Sequence, residues 1–252
     1  MALKWPFVRR PERGRGNRGR VEWVDPQSAY GRWARTYPPR PHNPLMELEH
    51  ETVLALLPEV RGLTVLDAGC GSGRYLRALG DRGAKVIGMD LSKAMLERAR
   101  DTTTRIARAD LRALPFDAMS IDLVVCGLAL GDLAEIELAL TEIARVLRPG
   151  GRVIYSVVHP AGEAAGWSRT FESDGRQWAI DGFWHSLDRH RQACEAAGFA
   201  IEEWREPALA AAPDQRAVLI VRARTQPAPP EAGQDNAASA RRSRRTSKAE
   251  PR

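Results

Sequence analysis

The stretch that decides the fold spans residues 64–75 and reads TVLDAGCGSGRY. It begins as a short apolar run that ends in Asp67, which is typical of a buried parallel strand. Gly69, Gly71 and Gly73 follow at alternate positions, and a segment with helical spacing begins after them. Glycine lets the backbone turn sharply and lets a ligand approach without meeting a Cβ atom. Because the first amides of the following helix have no partner within it, this loop is predicted to bind a ligand.

The same glycines first suggest a dinucleotide-binding loop, whose pattern is G-x-G-x-x-G. Gly69 and Gly71 fit that pattern, but Arg74 stands where the third glycine is required. The glycines instead run G-x-G-x-G, with an acid two residues before the first. An ordinary tight turn between a strand and a helix is the alternative without a ligand.

Strands and helices are predicted to alternate beyond this loop. Strands are predicted over 64–67, 85–90, 105–109, 121–127 and 152–158, and helices over 74–82, 92–100 and 133–147. Such alternation predicts right-handed βαβ units, and therefore an α/β fold with one doubly wound, mostly parallel sheet and helices on both faces. A helix over 187–197 and an antiparallel terminal hairpin, 199–204 with 217–224, complete a sheet of seven strands. In such sheets ligands bind beyond the carboxyl ends of the strands.

The net charge of +6 is concentrated at the two ends of the chain. Residues 1–20 carry seven Lys and Arg against one acid, and residues 225–252 carry six against three, so the remainder has a net charge of −3. Both ends lack apolar periodicity and are predicted to be disordered basic tails that flank one domain over 21–224. A basic groove for nucleic acid is not expected in that domain. Weak contact through the Arg-rich tails is the remaining route to nucleic acid.

The cysteines and the hydropathy indicate in which cellular compartment the protein is expected. Cys70, Cys126 and Cys194 are scattered and form no C-x-x-C pair, which argues against a disulfide scaffold or a zinc site and favours a reducing cytoplasm. The longest apolar run, over 121–130, is about half of the ~20 residues that cross a bilayer. Residues 1–10 lack the apolar region of a secretory signal. We therefore expect a cytoplasmic protein with no membrane contact and no metal.

Several further motifs resemble, in order and spacing, those of the class I S-adenosylmethionine-dependent methyltransferases. Asp67 and its glycines resemble the first motif of that family, D/E-x-G-x-G-x-G. Residues 116–125 resemble its "PF…FDLV" strand, and residues 147–151, LRPGG, resemble the turn before its fifth strand. The resemblance is closest to the methyltransferase type 11 group of bacterial small-molecule enzymes and covers most of 30–224. It implies methyl transfer from S-adenosylmethionine.

The resemblance also implies a set of cofactor-binding residues. Asp90 would accept both ribose hydroxyls, because a carboxylate offers two acceptor oxygens to adjacent donors. Asp110 would meet the adenine amino group, and the next backbone N–H would meet a ring nitrogen. Asp67 would order the loop or reach the methionine part through water. The full set is Asp67, Gly69, Cys70, Gly71, Gly73, Asp90, Leu91, Asp110, Leu111, Cys126, Gly127, and the covering aromatics Tyr30 and Trp33.

A general base is needed only if the acceptor must lose a proton, because the cofactor carries the activation. His159 after the fifth strand, His185 in the following insert and Asp132 after the fourth strand are the candidates. His159 and Asp132 also have structural alternatives. His159 could hydrogen-bond the turn before Pro160, and Asp132 could cap the next helix.

The acceptor is expected to be a small, partly apolar molecule. The insert over 159–185 contains Asp174-Gly175, a strong hairpin signal, and is predicted to be a lid. It carries five large aromatic side chains, Trp167, Phe171, Trp178, Phe183 and Trp184. The loop over 126–130, CGLAL, lacks the prolines of nucleic-acid amino-methylating enzymes. Two alternatives stay open, namely a non-catalytic protein that binds S-adenosylmethionine or its demethylated product, and an RNA methyltransferase that uses the basic tails.

Overall fold

The computed structural model describes residues 7–9, 21–103 and 105–226. Most of the two predicted tails, 1–20 and 225–252, therefore lies outside the described residues. Within the first of them, residues 7–9 form a strand that pairs antiparallel with residues 167–169. These three residues are thus part of a sheet. In the described part of the chain, no helix combines the length and apolar character needed to cross a membrane.

The strands and helices are numbered in chain order. The strands are β1 (Phe7–Arg9), β2 (Glu22–Val24), β3 (Thr64–Ala68), β4 (Lys85–Asp90), β5 (Ile106–Arg108), β6 (Ile121–Gly127), β7 (Leu147–Val158), β8 (Trp167–Ser173), β9 (Arg176–Ile180), β10 (Phe199–Arg205), β11 (Ala208–Leu209), β12 (Ala212–Arg216) and β13 (Val218–Thr225). The helices are α1 (Pro26–Trp33), α2 (Pro44–Leu56), α3 (Arg74–Gly80), α4 (Lys93–Ala99), α5 (Ile136–Val146), α6 (Ala161–Ala164) and α7 (Leu187–Ala196), with a 3-10 turn over Leu130–Asp132.

The main sheet has seven strands in the order β10-β13-β7-β6-β3-β4-β5. β3 to β7 run parallel to one another, whereas β13 runs antiparallel to both β7 and β10. This confirms the predicted mostly parallel seven-stranded sheet with an antiparallel hairpin at its edge. The predicted turn over 148–151 lies inside β7 as a bulge, because Ile121 pairs with Leu147 while Leu123 pairs with Arg152.

Helices cover both faces of the sheet and bury its apolar side chains. On one face α5 contributes Ile136, Leu140 and Ile143, all fully buried. On the other face α2 and α3 contribute Val53 and Leu79, which are buried to the same degree. Each such side chain contributes roughly 1.5–3 kcal/mol of hydrophobic stabilisation. The helix predicted over 133–147 begins three residues late, because the 3-10 turn precedes it.

A second sheet lies over the carboxyl ends of the parallel strands, in the order β1-β8-β9-β2. Its centre is the predicted hairpin of β8 and β9, and the linking residues Asp174 and Gly175 both have positive φ, 52° and 68°. Residues from the N-terminal segment complete it, since β2 pairs parallel with β9. Helix α1 packs against this sheet, and the Trp33 ring stacks on Phe171 with centroids 4.9 Å apart. The insert after β7 therefore shares its sheet with the N-terminal segment. The sequence did not predict this pairing.

Candidate functional site

A cavity of about 380 Å³ opens at the carboxyl ends of the parallel strands. Its wall brings together residues from loops that are far apart in sequence. Eight of the residues predicted for cofactor binding line the cavity, namely Gly69, Gly71, Asp90, Leu91, Asp110, Leu111, Gly127 and Tyr30. The predicted residues that do not line it are Asp67, Cys70, Gly73, Cys126 and Trp33. Cys70, within the glycine loop, and Cys126, within β6, are both buried, and Trp33 packs into the second sheet.

The glycine loop after β3 has a backbone that only glycine adopts readily. Gly69 and Gly71 have φ of 78° and 53°, in the left-handed region. A Cβ on Gly69 would also lie 2.6 Å from the Cβ of Ala129, so a side chain there would collide with the loop after β6. The amides of Gly69 and Cys70 both donate to the carbonyl of Met89. The loop is thereby fixed to the end of β4 while its inner face stays open to the cavity.

Asp90 joins the glycine loop to the end of β4. Its Oδ2 accepts the amide of Gly71 at 2.8 Å, and its Oδ1 accepts the amide of Ser92 at 2.8 Å. Burial raises the pKa of Asp90, and these amide hydrogen bonds oppose that rise. Each carboxylate oxygen retains a second lone pair for a ligand. Asp90 is therefore oriented by the backbone and can accept further hydrogen bonds from the cavity.

Asp110, after β5, is held by an arginine that the sequence did not single out. Its Oδ2 lies 2.8 Å from Arg112 Nη2, and its Oδ1 lies 3.0 Å from Arg112 Nε. The hydrogen bond with Arg112 lowers the pKa of Asp110. Arg112 also reaches the carboxylate of Glu135 at 3.0 Å, and both residues line the cavity. The ion pair Asp110–Arg112 therefore marks the end of the cavity beside the edge strand.

Asp67 lies beneath the glycine loop and is only 1% exposed. Within the described residues neither carboxylate oxygen has a hydrogen-bond partner. Burial, with a smaller contribution from Asp90, raises the pKa of Asp67 to about 7, although Arg74 opposes the shift. Asp67 is thus a buried carboxyl under the cavity floor that does not line the cavity, so it is not placed for direct contact with adenosine.

Arg74 and Glu49 form a buried network that was missing from the predicted site. Arg74 lines the cavity, and its Nη1 lies 2.5 Å from Oε2 of Glu49, a fully buried residue of α2. The other oxygen, Oε1, accepts the hydroxyls of Tyr75 at 2.9 Å and Ser156 at 2.6 Å. A sequence signal existed, because Glu49 lies in the apolar stripe of α2 between Leu45 and Val53. An acid on a buried helix face needs a partner.

Of the three candidate bases, only Asp132 lines the cavity. It forms an ion pair with Arg169 of β8, and another guanidinium nitrogen of Arg169 donates to the hydroxyl of Tyr30 at 3.1 Å. Asp132 therefore already has a charged partner, which ties the loop after β6 to the second sheet.

The two histidines point elsewhere. The Nε2 of His159 lies 3.0 Å from the Glu206 carboxylate, and its Nδ1 accepts the amide of Ala161 at 3.1 Å. The Nε2 of His185 donates to the carbonyl of Leu133 at 2.7 Å, and its Nδ1 lies 3.0 Å from Arg189 Nη1. Neither histidine lines the cavity. These positions do not support either residue as a base, and both rings act as hydrogen-bonding links between elements.

A second cavity of about 240 Å³ lies beside the first, beneath the second sheet. The two cavities share Leu128 and Phe183. The apolar lining of the second cavity includes three tryptophans, Trp23, Trp167 and Trp184. Phe183 is 44% exposed, so a large apolar side chain stands at the boundary between the two spaces. No group of three or more His, Cys, Asp or Glu side chains in the described part of the chain is placed to hold a metal ion.

Comparisons with known proteins agree with this geometry. The type 11 family model, described as a methyltransferase domain, matches residues 66–155. The malonyl-[acyl-carrier protein] O-methyltransferase of Salmonella typhimurium is 38% identical over 133 residues, 52% of each chain. The demethylmenaquinone methyltransferase of Clavibacter sepedonicus is 38% identical over 108 residues, 41% of this chain and 44% of that protein. The chain thus spans about half the length of the curated relatives that it matches.

The similarity extends further in a solved structure. The crystal structure of an S-adenosylmethionine-dependent methyltransferase from Mesorhizobium loti is 30% identical, with a TM-score of 0.61. The match covers 70% of this chain and 97% of that one. The sequence motifs, the fold and this match together show that the chain belongs to the S-adenosylmethionine-dependent methyltransferases, whose methyl donor is S-adenosylmethionine.

Proposed function

We propose that this chain transfers the methyl group of S-adenosylmethionine to a small, partly apolar molecule. The proposal rests on one observation, namely that two cavities lie side by side and share lining residues. The first is built on the glycine loop, and Leu128 and Phe183 belong to both cavities. The second is lined by three tryptophans and also by the charged residues Glu163, Arg169 and Asp181. Such an arrangement suits a donor and an acceptor that must meet at one boundary.

The residues of the first cavity fit the cofactor. A Cβ on Gly71 would meet nothing within 4 Å, so the loop borders open space there, while Gly69 packs closely against Ala129 of the next loop. Asp90 presents a carboxylate to ribose hydroxyls, and Asp110 with Leu111 lies where an adenine ring is expected. The buried carboxyl of Asp67 has no hydrogen-bond partner in the described part of the chain, and a cationic amino group above it would complement that charge.

When bound, the cofactor supplies a methyl group activated by a positively charged sulfur. The contribution of the chain is then to bind and align the two reactants and to exclude water. Alignment of this kind is worth up to roughly 7–11 kcal/mol of the barrier. Leu128 and Phe183 shield the boundary with apolar surface, and Tyr30 and Trp33 support the second sheet above it. We further propose that 21–224 is the methyltransferase domain and that 159–185 contributes its lid.

The acceptor is proposed to bind beneath the second sheet. In the described part of the chain no histidine lines either cavity, and Asp132 is engaged by Arg169. We therefore expect the reaction to depend on alignment more than on proton abstraction. The relatives named for malonyl-[acyl-carrier protein] and for demethylmenaquinone define two acceptor classes to try first.

The test is transfer of a labelled methyl group. Purified protein is incubated with methyl-labelled S-adenosylmethionine and with each of four acceptors, namely a malonyl thioester, demethylmenaquinone, a bacterial small-molecule extract and total bacterial RNA. We expect label in an extractable product with the unmodified protein and, at limiting cofactor concentration, about ten-fold less or lower with the Asp90→Ala variant. Tight cofactor binding without labelling of any acceptor would contradict the proposal and would favour a non-catalytic binding protein. Label in RNA alone would favour an RNA methyltransferase.

A further inference from the structure

The first cavity has a cationic side chain at each end. Arg74 and Arg112 are the only Lys or Arg residues among the described residues of its lining. Arg112 is bound to Asp110 after the edge strand β5. Arg74 begins α3, on the other side of the glycine loop. A Cβ on Gly127, after β6, would lie 3.2 Å from Arg74 Nη2, so this guanidinium reaches toward the end of β6.

The two ends therefore differ in what they can bind. Asp110 and Leu111 fit an adenine ring at one end, and Asp90 lies between the ends at the tip of β4. The other end, with Gly127, Tyr37 and Arg74, is left for the amino-acid part of the cofactor. That part carries a carboxylate, and an arginine fork matches a carboxylate in shape and charge.

We propose that Arg74 binds the α-carboxylate of S-adenosylmethionine and that Glu49 is the positioning residue that orients its guanidinium. The inference rests on the function proposed above. Arg74 Nη1 contacts Glu49 and His50, whereas its Nη2 and Nε donate to no described residue. A guanidinium has five N–H donors, so it serves two carboxylates without breaking the bond to Glu49. The Arg74 guanidinium also lies 4.3 Å above the Tyr75 ring, which limits its movement.

Glu49 extends the same network to the boundary of the two cavities. It is fully buried and binds Arg74, Tyr75 and Ser156 together. The Oγ of Ser156 accepts the amide of Leu128 at 2.9 Å, and Leu128 is one of the two residues shared by the cavities. The proposed carboxylate site is thus connected through three side chains to the wall where donor and acceptor meet.

The test compares S-adenosylmethionine with decarboxylated S-adenosylmethionine, which lacks only the carboxylate, by calorimetric titration. The unmodified protein is expected to bind the decarboxylated ligand about ten-fold or more weakly, as expected for loss of a charged hydrogen-bonded pair. In Arg74→Gln the affinity for S-adenosylmethionine falls about ten-fold or more, while that for the decarboxylated ligand stays within about two-fold. The matched control Arg112→Gln lies at the adenine end and weakens both ligands by the same factor.

The decisive measurement is the ratio of the affinity for S-adenosylmethionine to the affinity for the decarboxylated ligand. Glu49→Gln keeps the size of the side chain and is expected to reduce the ratio, whereas a defect in packing alone weakens both ligands alike and leaves it unchanged. If Arg74→Gln does not fold, Arg74→Lys keeps a cation beside Glu49 without the fork and is expected to give an intermediate ratio. An unchanged ratio in the folded Arg74 variant overturns the proposal, as does equal binding of both ligands by the unmodified protein. Failure of the unmodified protein to bind either ligand would instead overturn the proposed function.

Discussion

The substitution Asp67→Asn is expected to change how the stability of the ligand-free protein depends on pH. Asp67 is 1% exposed, and neither of its oxygens has a hydrogen-bond partner among the described residues. Burial raises its pKa from the ordinary value of 3.8 to about 7. The amide of asparagine has nearly the same shape but does not titrate in this range. The substitution therefore isolates the effect of the charge.

Proton linkage determines whether the stability of the folded protein rises or falls with pH. Because the folded pKa lies above the unfolded one, the folded protein holds more protons between these two values, and stability falls as pH rises through that window. With 3.8 for the unfolded chain and about 7 for the folded protein, the loss between about pH 5 and about pH 8 is on the order of 2–3 kcal/mol. Asp67→Asn removes this part of the pH dependence. The amide itself costs about 1–3 kcal/mol, because it buries donors without partners, but that cost is the same at both pH values.

Urea denaturation at both pH values measures the free energy of unfolding. The unmodified protein should lose stability relative to Asp67→Asn by on the order of 2–3 kcal/mol on going from the lower to the higher pH. The exposed acid Asp81, at the end of α3, provides the control, and Asp81→Asn should follow the unmodified protein. If Asp67→Asn and the unmodified protein show parallel pH profiles, the carboxyl of Asp67 is ionised normally and our account of the cavity floor is wrong.

Two further substitutions test the surroundings of the cavity. Gly127→Ala would place a Cβ 2.4 Å from Cε2 of Tyr75, so we expect about 1–3 kcal/mol of destabilisation by overpacking and weaker cofactor binding, measured by thermal unfolding and titration. An unchanged melting temperature would show that the Tyr75 ring moves aside freely. Arg169→Met leaves the half-buried Asp132 without its cation and is expected to cost about 2–4 kcal/mol, most of which Asp132→Asn in the same chain should restore. Additive losses in the double variant would rule out the ion pair as the cause.

The sequence predicts the main sheet well because its signals are local. The apolar run before Asp67, the following glycines and the alternation of periodicities each depend on neighbouring residues only. They place β4 and β6 at the bounds that the structure shows, 85–90 and 121–127. The cofactor cavity follows from the same signals, since the loops after β3, β4 and β5 must lie at one edge of a parallel sheet.

The second sheet and the directions of the histidines could not be predicted in the same way. β2 has only three residues and is stabilised by its pairing with β9, more than 150 positions away. His159 follows β7 and contacts Glu206, which follows β10 and lies 47 positions away, so its direction is a tertiary effect. Glu49 is a different case, because its position on the apolar face of α2 could be read from the sequence although it was not among the predicted site residues.

The most direct test of the account is a calorimetric titration of S-adenosylhomocysteine into the unmodified protein and the Asp90→Ala variant, with Asp81→Ala as control. Asp90 lines the cavity and Asp81 does not. We predict binding at one site per chain, with an affinity about ten-fold or more lower in Asp90→Ala, because ribose hydroxyls lose a charged acceptor worth at least one or two kcal/mol. The control should bind as the unmodified protein does. Equal affinity in all three proteins would contradict the claim that the cavity at the end of β4 holds the methyl donor.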